Sequence, residues 1–135
     1  MPLSNFDIEE FAKRLKINDF DGVYSDDNIP PTAKKYIFNL QHSGEGGSHW
    51  IGVNKNIVFD SLGYPPDTPL EKDGIIYNDE QVQHSDSVRC GLYALYFIKA
   101  NVKNASEFKK FLNKFDKKDL TKNENLIAKY FTKNL

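Results

Sequence analysis

The sequence of 135 residues is poor in cysteine and contains no long apolar run. A single cysteine, Cys90, excludes an intrachain disulfide and favours a reducing compartment. No stretch of about 18 apolar residues is present, which argues against a membrane-spanning helix. The opening residues, MPLSNFDIEEFAKRL, are acidic and amphipathic, a pattern that argues against a secretory signal. The histidines and the cysteine lack the paired spacing of a metal site, so the sequence predicts neither a metal nor another cofactor.

Charge is unevenly distributed, although the net charge is only −1. Residues 1–100 contain 9 Lys or Arg and 15 Asp or Glu, whereas residues 101–135 contain 9 and 4. A basic helical segment of this kind is most often a solvated face. Nucleic-acid binding through this segment is therefore the less favoured alternative. We also expect a monomer with no membrane partner.

The pattern of apolar residues predicts an α+β fold in a single domain over residues 1–135. Turn residues at 21–22 and 25–28 precede the first strand. The predicted elements are a helix from Ser4 to about Lys16, a strand at 36–40, a hairpin of 49–53 and 57–60, a strand at 74–77, a helix at 88–100, and helices that start at Ser106 and Thr121. These elements give a small central mixed sheet, a buried helix that carries Cys90, and further helices packed around it.

Cys90 is a candidate nucleophile because of its place at the start of the apolar helix. Ser87 is a good N-cap, which would put Cys90 in the first turn, where the positive end of the helix dipole stabilises a thiolate. Arg89 adds positive charge nearby. Gly91 lets another chain approach closely. A lone cysteine is usually a small core residue, but its position at the start of the helix argues against that interpretation.

A cysteine nucleophile needs a base and a group that orients this base. His42 and His84 lie in polar, turn-rich stretches, whereas His49 begins an apolar strand. If the hairpin turn has two residues, His49 and Asp60 lie on the same face, either directly opposite or as diagonal neighbours. A three-residue loop without a bulge would place them on opposite faces. The sequence therefore permits a carboxylate–imidazole pair and leaves the turn open.

Several motifs stand in a definite order along the chain: GVYSDDNIP at residues 22–30, GGSHW at 46–50, VFDSLG at 58–63, and Gln83 seven residues before the CGLY of 90–93. Together they resemble the adenovirus maturation protease family. The order His, acid, Gln, Cys also fits, and the resemblance covers roughly residues 3–100. Relatives of this family occur in virophages, Polinton-type elements and large DNA viruses, and more distantly among the SUMO-removing proteases.

The resemblance implies a cysteine endopeptidase that cleaves viral structural precursor proteins after glycine. Cys90 would be the nucleophile, His49 the base, Asp60 its orienting acid, and Gln83 a donor to the oxyanion together with the Cys90 N–H. The implied substrate-binding residues are Trp50, Gly47 and Gly91, with Trp50 roofing a narrow channel. The implied location is the host-cell cytoplasm, at the virus factory, and the virion.

The sequence departs from the adenovirus enzyme in three ways. That enzyme has Glu at the acid position, where Asp60 matches other relatives; it is longer; and it is activated by a peptide linked through a second cysteine. Because Cys90 is the only cysteine, such a link would consume the nucleophile. The resemblance therefore implies activity without a covalent peptide cofactor.

Three other functions are compatible with this type of site. An isopeptidase that removes ubiquitin-like modifiers is disfavoured by the short chain and the viral-type lead-in. Acyl transfer uses a similar Cys–His pair in some relatives. A binding module that has lost activity is disfavoured because all four catalytic positions are filled.

Overall fold

The computed structural model describes residues 3–40, 49–66 and 74–135. Its elements are α1 (Asn5–Arg14), β1 (Gly22–Ser25), β2 (Lys35–Leu40), β3 (His49–Asn54), β4 (Ile57–Phe59), β5 (Ile76–Tyr77), α2 (Cys90–Ala100), α3 (Ala105–Leu112) and α4 (Leu120–Asn134). The described residues form a five-stranded mixed sheet with four helices, which confirms the predicted α+β class. No helix within the described ranges is long and apolar enough to span a bilayer.

The strands lie in chain order across the sheet, from β1 to β5. The three central strands are antiparallel, and each edge strand is parallel to its neighbour. The β3–β4 hairpin pairs Asn54 with Ile57, so its turn has two residues, Lys55 and Asn56. This is one of the two even-length turns that the sequence permits, and it places His49 and Asp60 on the same face as diagonal neighbours.

The sheet buries both faces, and alternate residues of each strand enter different cores. One core contains Ile37, Trp50 and Phe59 together with the helices. The other contains Tyr36 and Phe38, with Leu40 packed against them, which confirms the predicted alternation in β2. In this way the helix that carries Cys90 packs on one face of a sheet whose central hairpin carries His49.

The helix starts were predicted with mixed success. The Ser4–Asp7 capping box of α1 is present, with Ser4 Oγ accepting from the Asp7 N–H at 3.2 Å and Asp7 Oδ2 accepting from the Ser4 N–H at 2.9 Å. Ser87 was wrong as the N-cap of α2, because the helix starts at Cys90 and its N-cap residue is Arg89. Thr121 was also wrong, since α4 starts at Leu120 after Asp119.

The strand β1 was missed, because its first and last residues, Gly22 and Ser25, were interpreted as parts of turns. All four are only half-buried, so they show no alternation that a sequence could reveal. They pair with β2 in parallel, each with the residue 14 positions later, as Gly22 with Tyr36. Asp21 fixes this connection, since its Oδ2 accepts from the Lys34 and Lys35 N–H groups at 2.7 and 2.9 Å. A short edge strand of this kind is specified by tertiary contacts rather than by local pattern.

Candidate active site

The His49 imidazole and the Asp60 carboxylate form a partly buried pair at one end of the central hairpin. His49 Nε2 lies 2.6 Å from Asp60 Oδ1. The His49 side chain is 17% exposed and that of Asp60 is 4% exposed, so little water competes for the contact. This confirms the sequence-based expectation that the two residues share a face and lie in contact.

Cys90 interacts with the same imidazole. It is buried and is the first residue of α2, and its side chain forms a hydrogen bond with that of His49. Because Nε2 is taken by Asp60, Nδ1 is the ring nitrogen left for the sulfur. The structure therefore brings together the predicted nucleophile, base and acid.

The environment of His49 holds its ring in the protonated form. Burial lowers the pKa of this imidazole, but hydrogen bonds and charge interactions with Asp60 and Cys90 outweigh burial and raise the pKa from 6.5 to about 9. The imidazole is therefore cationic at neutral pH.

Asp60 is held by a buried asparagine that the sequence did not reveal. The Asp60 N–H donates to Asn78 Oδ1 at 3.0 Å, and Asn78 Nδ2 donates back to the Asp60 carbonyl at 2.6 Å. Asn78 directly follows β5, which runs parallel to β4. Its side chain thus continues the backbone pairing of the two strands beyond their last residues and fixes the main chain of Asp60.

The turn that follows Asp60 gives the carboxylate a second fixed partner. Leu62 N–H donates to Asp60 Oδ1 at 2.9 Å, and Gly63 N–H donates to the Asp60 carbonyl at 2.9 Å. Gly63 has a φ of +78°, and a Cβ there would lie 2.7 Å from Gln81 N. Only glycine fits this conformation and this close approach. The positive φ and the close approach to Gln81 therefore explain why the VFDSLG motif ends in glycine.

Gln83 is almost completely buried, and its side-chain amide is oriented from both ends. Ser61 Oγ donates to Gln83 Oε1 at 2.5 Å, and Gln83 Nε2 donates to the Ser87 carbonyl at 3.0 Å. A carbonyl can only accept, so this contact fixes which end of the amide is nitrogen. Ser87 lies three residues before Cys90. The Gln83 NH₂ group is thus held at the N-terminal end of α2.

The helix α4 supports this side of the site with two polar residues. Asn123, which is 1% exposed, donates from Nδ2 to the Val82 carbonyl at 2.8 Å, next to Gln83. Glu124 pairs with Arg89 at 3.2 Å and accepts from the Tyr93 hydroxyl. Burial and then this bond raise the pKa of Tyr93. The sequence had suggested that the Arg89 charge acts on Cys90. In the structure, Arg89 forms an ion pair with Glu124.

Of the three residues expected to bind substrate, the structure describes two, Trp50 and Gly91. Trp50 and Gly91 are in contact, since a Cβ at Gly91 would lie 3.3 Å from Trp50 Cδ1. Trp50 is only 4% exposed, and its indole N–H donates to the Leu3 carbonyl at 3.1 Å. Both residues adjoin catalytic candidates in sequence, and their role toward a substrate stays a prediction. Gly47 lies outside the described residues.

The remaining histidines do not join the site. The His84 side chain is half exposed, as expected, and its nearest acidic partner is the exposed Asp86 at 3.9 Å. His42 lies outside the described residues. Across the part of the chain that the structure describes, no cluster of three or more His, Cys, Asp or Glu could hold a metal ion.

Three supporting residues were missed from the sequence: Ser61, Asn78 and Asn123. Ser61 belongs to the VFDSLG motif but had been given no role. Asn123 has a recognisable signal, because it occupies the apolar face of α4 at a four-residue interval from the buried Ile127 and Phe131. A polar residue at such a position predicts a buried hydrogen bond. No comparable sequence signal marks Asn78.

The chain matches no protein-family model and no curated protein sequence.

Proposed function

We propose that this protein is a cysteine endopeptidase in which Cys90, His49 and Asp60 form the catalytic triad. The observation that supports it most strongly is the position of the His49 ring, which contacts the Asp60 carboxylate at 2.6 Å and is hydrogen-bonded to the Cys90 side chain. A nucleophile, a base and an orienting group in mutual contact are the arrangement that covalent peptide hydrolysis requires. The order of motifs along the chain and their resemblance to the adenovirus-type proteases agree with it.

The roles follow from the contacts. The Cys90 thiolate attacks the scissile carbonyl carbon and forms the Sγ–C bond. The His49 imidazolium then gives its proton to the leaving nitrogen as the C–N bond breaks. The neutral imidazole next takes a proton from a water molecule, which attacks the thioester and releases the acid and Cys90. Asp60 keeps the ring in place and stabilises its cationic form.

Gln83 is proposed to stabilise the negative oxygen that develops during both steps. Its Nε2 carries two hydrogens, and Ser87 accepts one of them. No other acceptor for Nε2 is found among the described residues. A donor that is already oriented by Ser61 and Ser87 needs no reorganisation in the transition state. The Cys90 N–H is the proposed second donor.

The proposed substrates are viral structural precursor proteins, cut after glycine in the host-cell cytoplasm or the virion. This part rests on the resemblance. Trp50 and Gly91, each next in sequence to a proposed catalytic residue, are in contact with each other. Glycine before the cut is the residue that a narrow passage accepts.

The test is cleavage of a capsid or scaffold precursor from the same genome, with wild type and Cys90→Ala compared side by side. Mass spectrometry of the products locates any new termini. We expect new termini after glycine with wild type alone. An intact ubiquitin-like modifier substrate and acetyl-CoA are included as alternative substrates, and turnover of either of these without precursor cleavage would refute the proposal.

A peptide assay tests the specificity separately. A fluorogenic peptide with Gly-Gly before the scissile bond should be cut much faster than its Ala-Leu counterpart. Equal rates for the two peptides would remove the narrow-passage argument and leave the triad assignment standing.

A further inference from the structure

The chain segment between the two proposed oxyanion donors lies at the surface. Gln83 and Cys90 are buried, whereas residues 84–89 between them are exposed, apart from the half-buried Ser87. Even the apolar Val88 of this segment is exposed. A segment of this kind has little apolar packing to fix its course. The position of Gln83 Nε2 relative to the Cys90 N–H therefore depends on polar contacts.

The start of α2 is held by α4 rather than by a capping side chain. The N-cap residue Arg89 makes no side-chain capping bond, although such a bond contributes about 0.5–2 kcal/mol to a helix. Instead, the Arg89 guanidinium donates to Glu124 Oε1 at 3.2 Å, and the Tyr93 hydroxyl donates to Glu124 Oε2. Arg89 and Tyr93 are also joined by a backbone bond, from the Tyr93 N–H to the Arg89 carbonyl at 3.1 Å. One carboxylate therefore holds both ends of the turn that contains Cys90.

The other end of the segment is held by the preceding residue of α4. Asn123 Nδ2 donates at 2.8 Å to the Val82 carbonyl, which belongs to the peptide unit that joins Val82 to Gln83. Asn123 is itself fixed, because its Oδ1 accepts from the Asp116 N–H and its Nδ2 donates to the Asp116 carbonyl, both at 2.7 Å. Since Asn123 and Glu124 are neighbours on one helix, their contacts with the two ends of the segment have a fixed separation.

We propose that Asn123 and Glu124 are positioning residues that align the two oxyanion donors, Gln83 Nε2 and the Cys90 N–H, for peptide cleavage. The proposal rests on the proposed peptidase function and deepens it. Neither residue acts by touching the substrate, and each acts through the end of the segment that it holds. Burial of α2 fixes the sulfur, whereas the direction of the two donors depends on the hydrogen bonds to α4.

The test compares two reactions of Cys90, of which only one forms an oxyanion. In cleavage of the fluorogenic Gly-Gly peptide, the sulfur adds to the carbonyl carbon and negative charge develops on the carbonyl oxygen. In alkylation by iodoacetamide, the sulfur displaces iodide and forms an S–C bond, and no oxyanion develops. Loss of donor alignment should therefore slow cleavage and leave alkylation unchanged.

Glu124→Gln is the first variant, because it changes the volume of the side chain very little. It offers one acceptor oxygen in place of two, so that either Arg89 or Tyr93 loses its bond. Complete removal of an oxyanion donor lowers kcat about 100- to 1000-fold, and misalignment should cause part of that loss. We expect kcat to fall about tenfold and KM to change less than about twofold, with an unchanged rate of alkylation. The matched control is Glu10→Gln, which breaks the Glu10–Arg14 pair at 3.3 Å on α1 and should change none of these rates.

Asn123→Ala tests the other end of the segment. It leaves the Val82 carbonyl and the Asp116 N–H without their partner, so Tm should fall. Cleavage and alkylation are therefore measured at a temperature where circular dichroism shows the variant to be folded. We expect the same pattern as for Glu124→Gln, a lower kcat with unchanged alkylation. If Asn123→Ala does not fold, the result for Glu124→Gln decides alone.

Two results would overturn the inference and leave the triad standing. One is an unchanged kcat in Glu124→Gln, and the other is an equal loss of cleavage and alkylation, which would show that the substitution acts on the sulfur and not on the donors. Failure of wild type to cleave any peptide would overturn the peptidase proposal as well.

Discussion

The two sides of the candidate site are held in place by different forces. On the acid side, Asp60 and Gln83 are fixed by hydrogen bonds from buried polar side chains, namely Asn78 and Ser61. On the nucleophile side, Cys90 begins a helix that buries seven of its eleven residues, and its N-cap residue makes no side-chain capping bond. Hydrogen bonds therefore fix the direction of the groups on the acid side, whereas burial of the helix fixes the position of Cys90 on the nucleophile side.

The difference follows from what each group must do. An amide donor or a carboxylate acts only when its atoms point correctly, and hydrogen bonds fix direction. A sulfur at a helix start needs only a fixed position, which apolar packing supplies. Substitutions on the acid side should therefore reduce activity through orientation. Substitutions in the α2 core should mainly reduce stability.

The largest expected effect is loss of the nucleophile or the base. Cys90→Ala and His49→Ala should each reduce peptide cleavage on the order of a thousandfold or more, because the nucleophile and its base act as one unit. Both proteins should stay folded by circular dichroism. Cleavage by either variant at the wild-type rate would refute the triad.

The next largest effect is expected on the acid side, from substitution of Asn78. Asn78→Ala leaves the buried Asp60 N–H and carbonyl without their partner and should cost about 2–4 kcal/mol of unfolding free energy. It should also lower kcat more than it changes KM, because Asp60 loses its fixed position. Urea unfolding and steady-state kinetics measure the two effects.

The matched control for this substitution is Asn56→Ala. Asn56 makes the same kind of bond, from Nδ2 to the Gly74 carbonyl at 3.0 Å, but in an exposed turn at the other end of the hairpin. Its loss should cost less than about 1 kcal/mol and leave kcat unchanged. Similar losses of kcat in the two variants would show that Asn78 does not act through Asp60.

Sequence reasoning was successful where the signal is apolar and local. The apolar character of residues 88–100 identified a buried helix, and the two-residue turn was among the options that placed His49 beside Asp60. It could not choose between the two even-length turns, because a turn of Lys and Asn lacks the glycine that selects a type. It also misplaced the N-cap of α2, since Ser87 binds the Arg89 N–H in the preceding loop instead.

The polar supports were beyond prediction for a physical reason. Asn78 reaches Asp60 across 18 residues and Asn123 reaches Val82 across 41. Such bonds depend on how separate elements pack, and an asparagine in sequence looks like any loop residue. The candidate catalytic residues were identified from the order of motifs in the sequence. The asparagines that position them could be identified only from the three-dimensional structure.

A smaller effect concerns the protonation of His49. Hydrogen bonds to Asp60 and Cys90 outweigh burial and raise the pKa of His49 to about 9, above the 6.5 of an unfolded chain. The stability that this pair contributes is therefore fully present below pH 6.5 and is lost as pH rises through about 9. Cleavage should fall over the same upper range, because the leaving nitrogen needs the imidazolium proton.

Proton NMR of the histidine ring signals measures this directly, with His49→Ala used for assignment. The Asp60→Asn variant should show a lower His49 pKa and reduced cleavage. A His49 ring that titrates below 6.5 in wild type would contradict the electrostatic account and require a neutral Cys–His pair.

The smallest expected effect concerns the basic residues beyond residue 100. Three of these lysines already have partners: Lys117 Nζ donates to the Leu112 carbonyl at 2.5 Å, Lys122 lies 3.7 Å from Asp116, and Lys114 lies 5.7 Å from the centre of the Tyr96 ring. The buried side of α4 is used for packing and for the bonds to Val82 and Arg89.

We expect the remaining lysines to be a solvated face, so that labelled duplex DNA gives no saturable anisotropy change at low salt and leaves kcat/KM unaltered. Saturable binding with a log–log salt slope near −0.9 per neutralised phosphate would contradict this. It would also change the comparison of the two sides, because the helix whose Asn123 holds the Val82 carbonyl, next to Gln83, would then bind a polyanion. Lys109→Gln with Lys110→Gln, both exposed on α3, is the variant that would have to abolish such binding while leaving the Gly-Gly peptide activity unchanged.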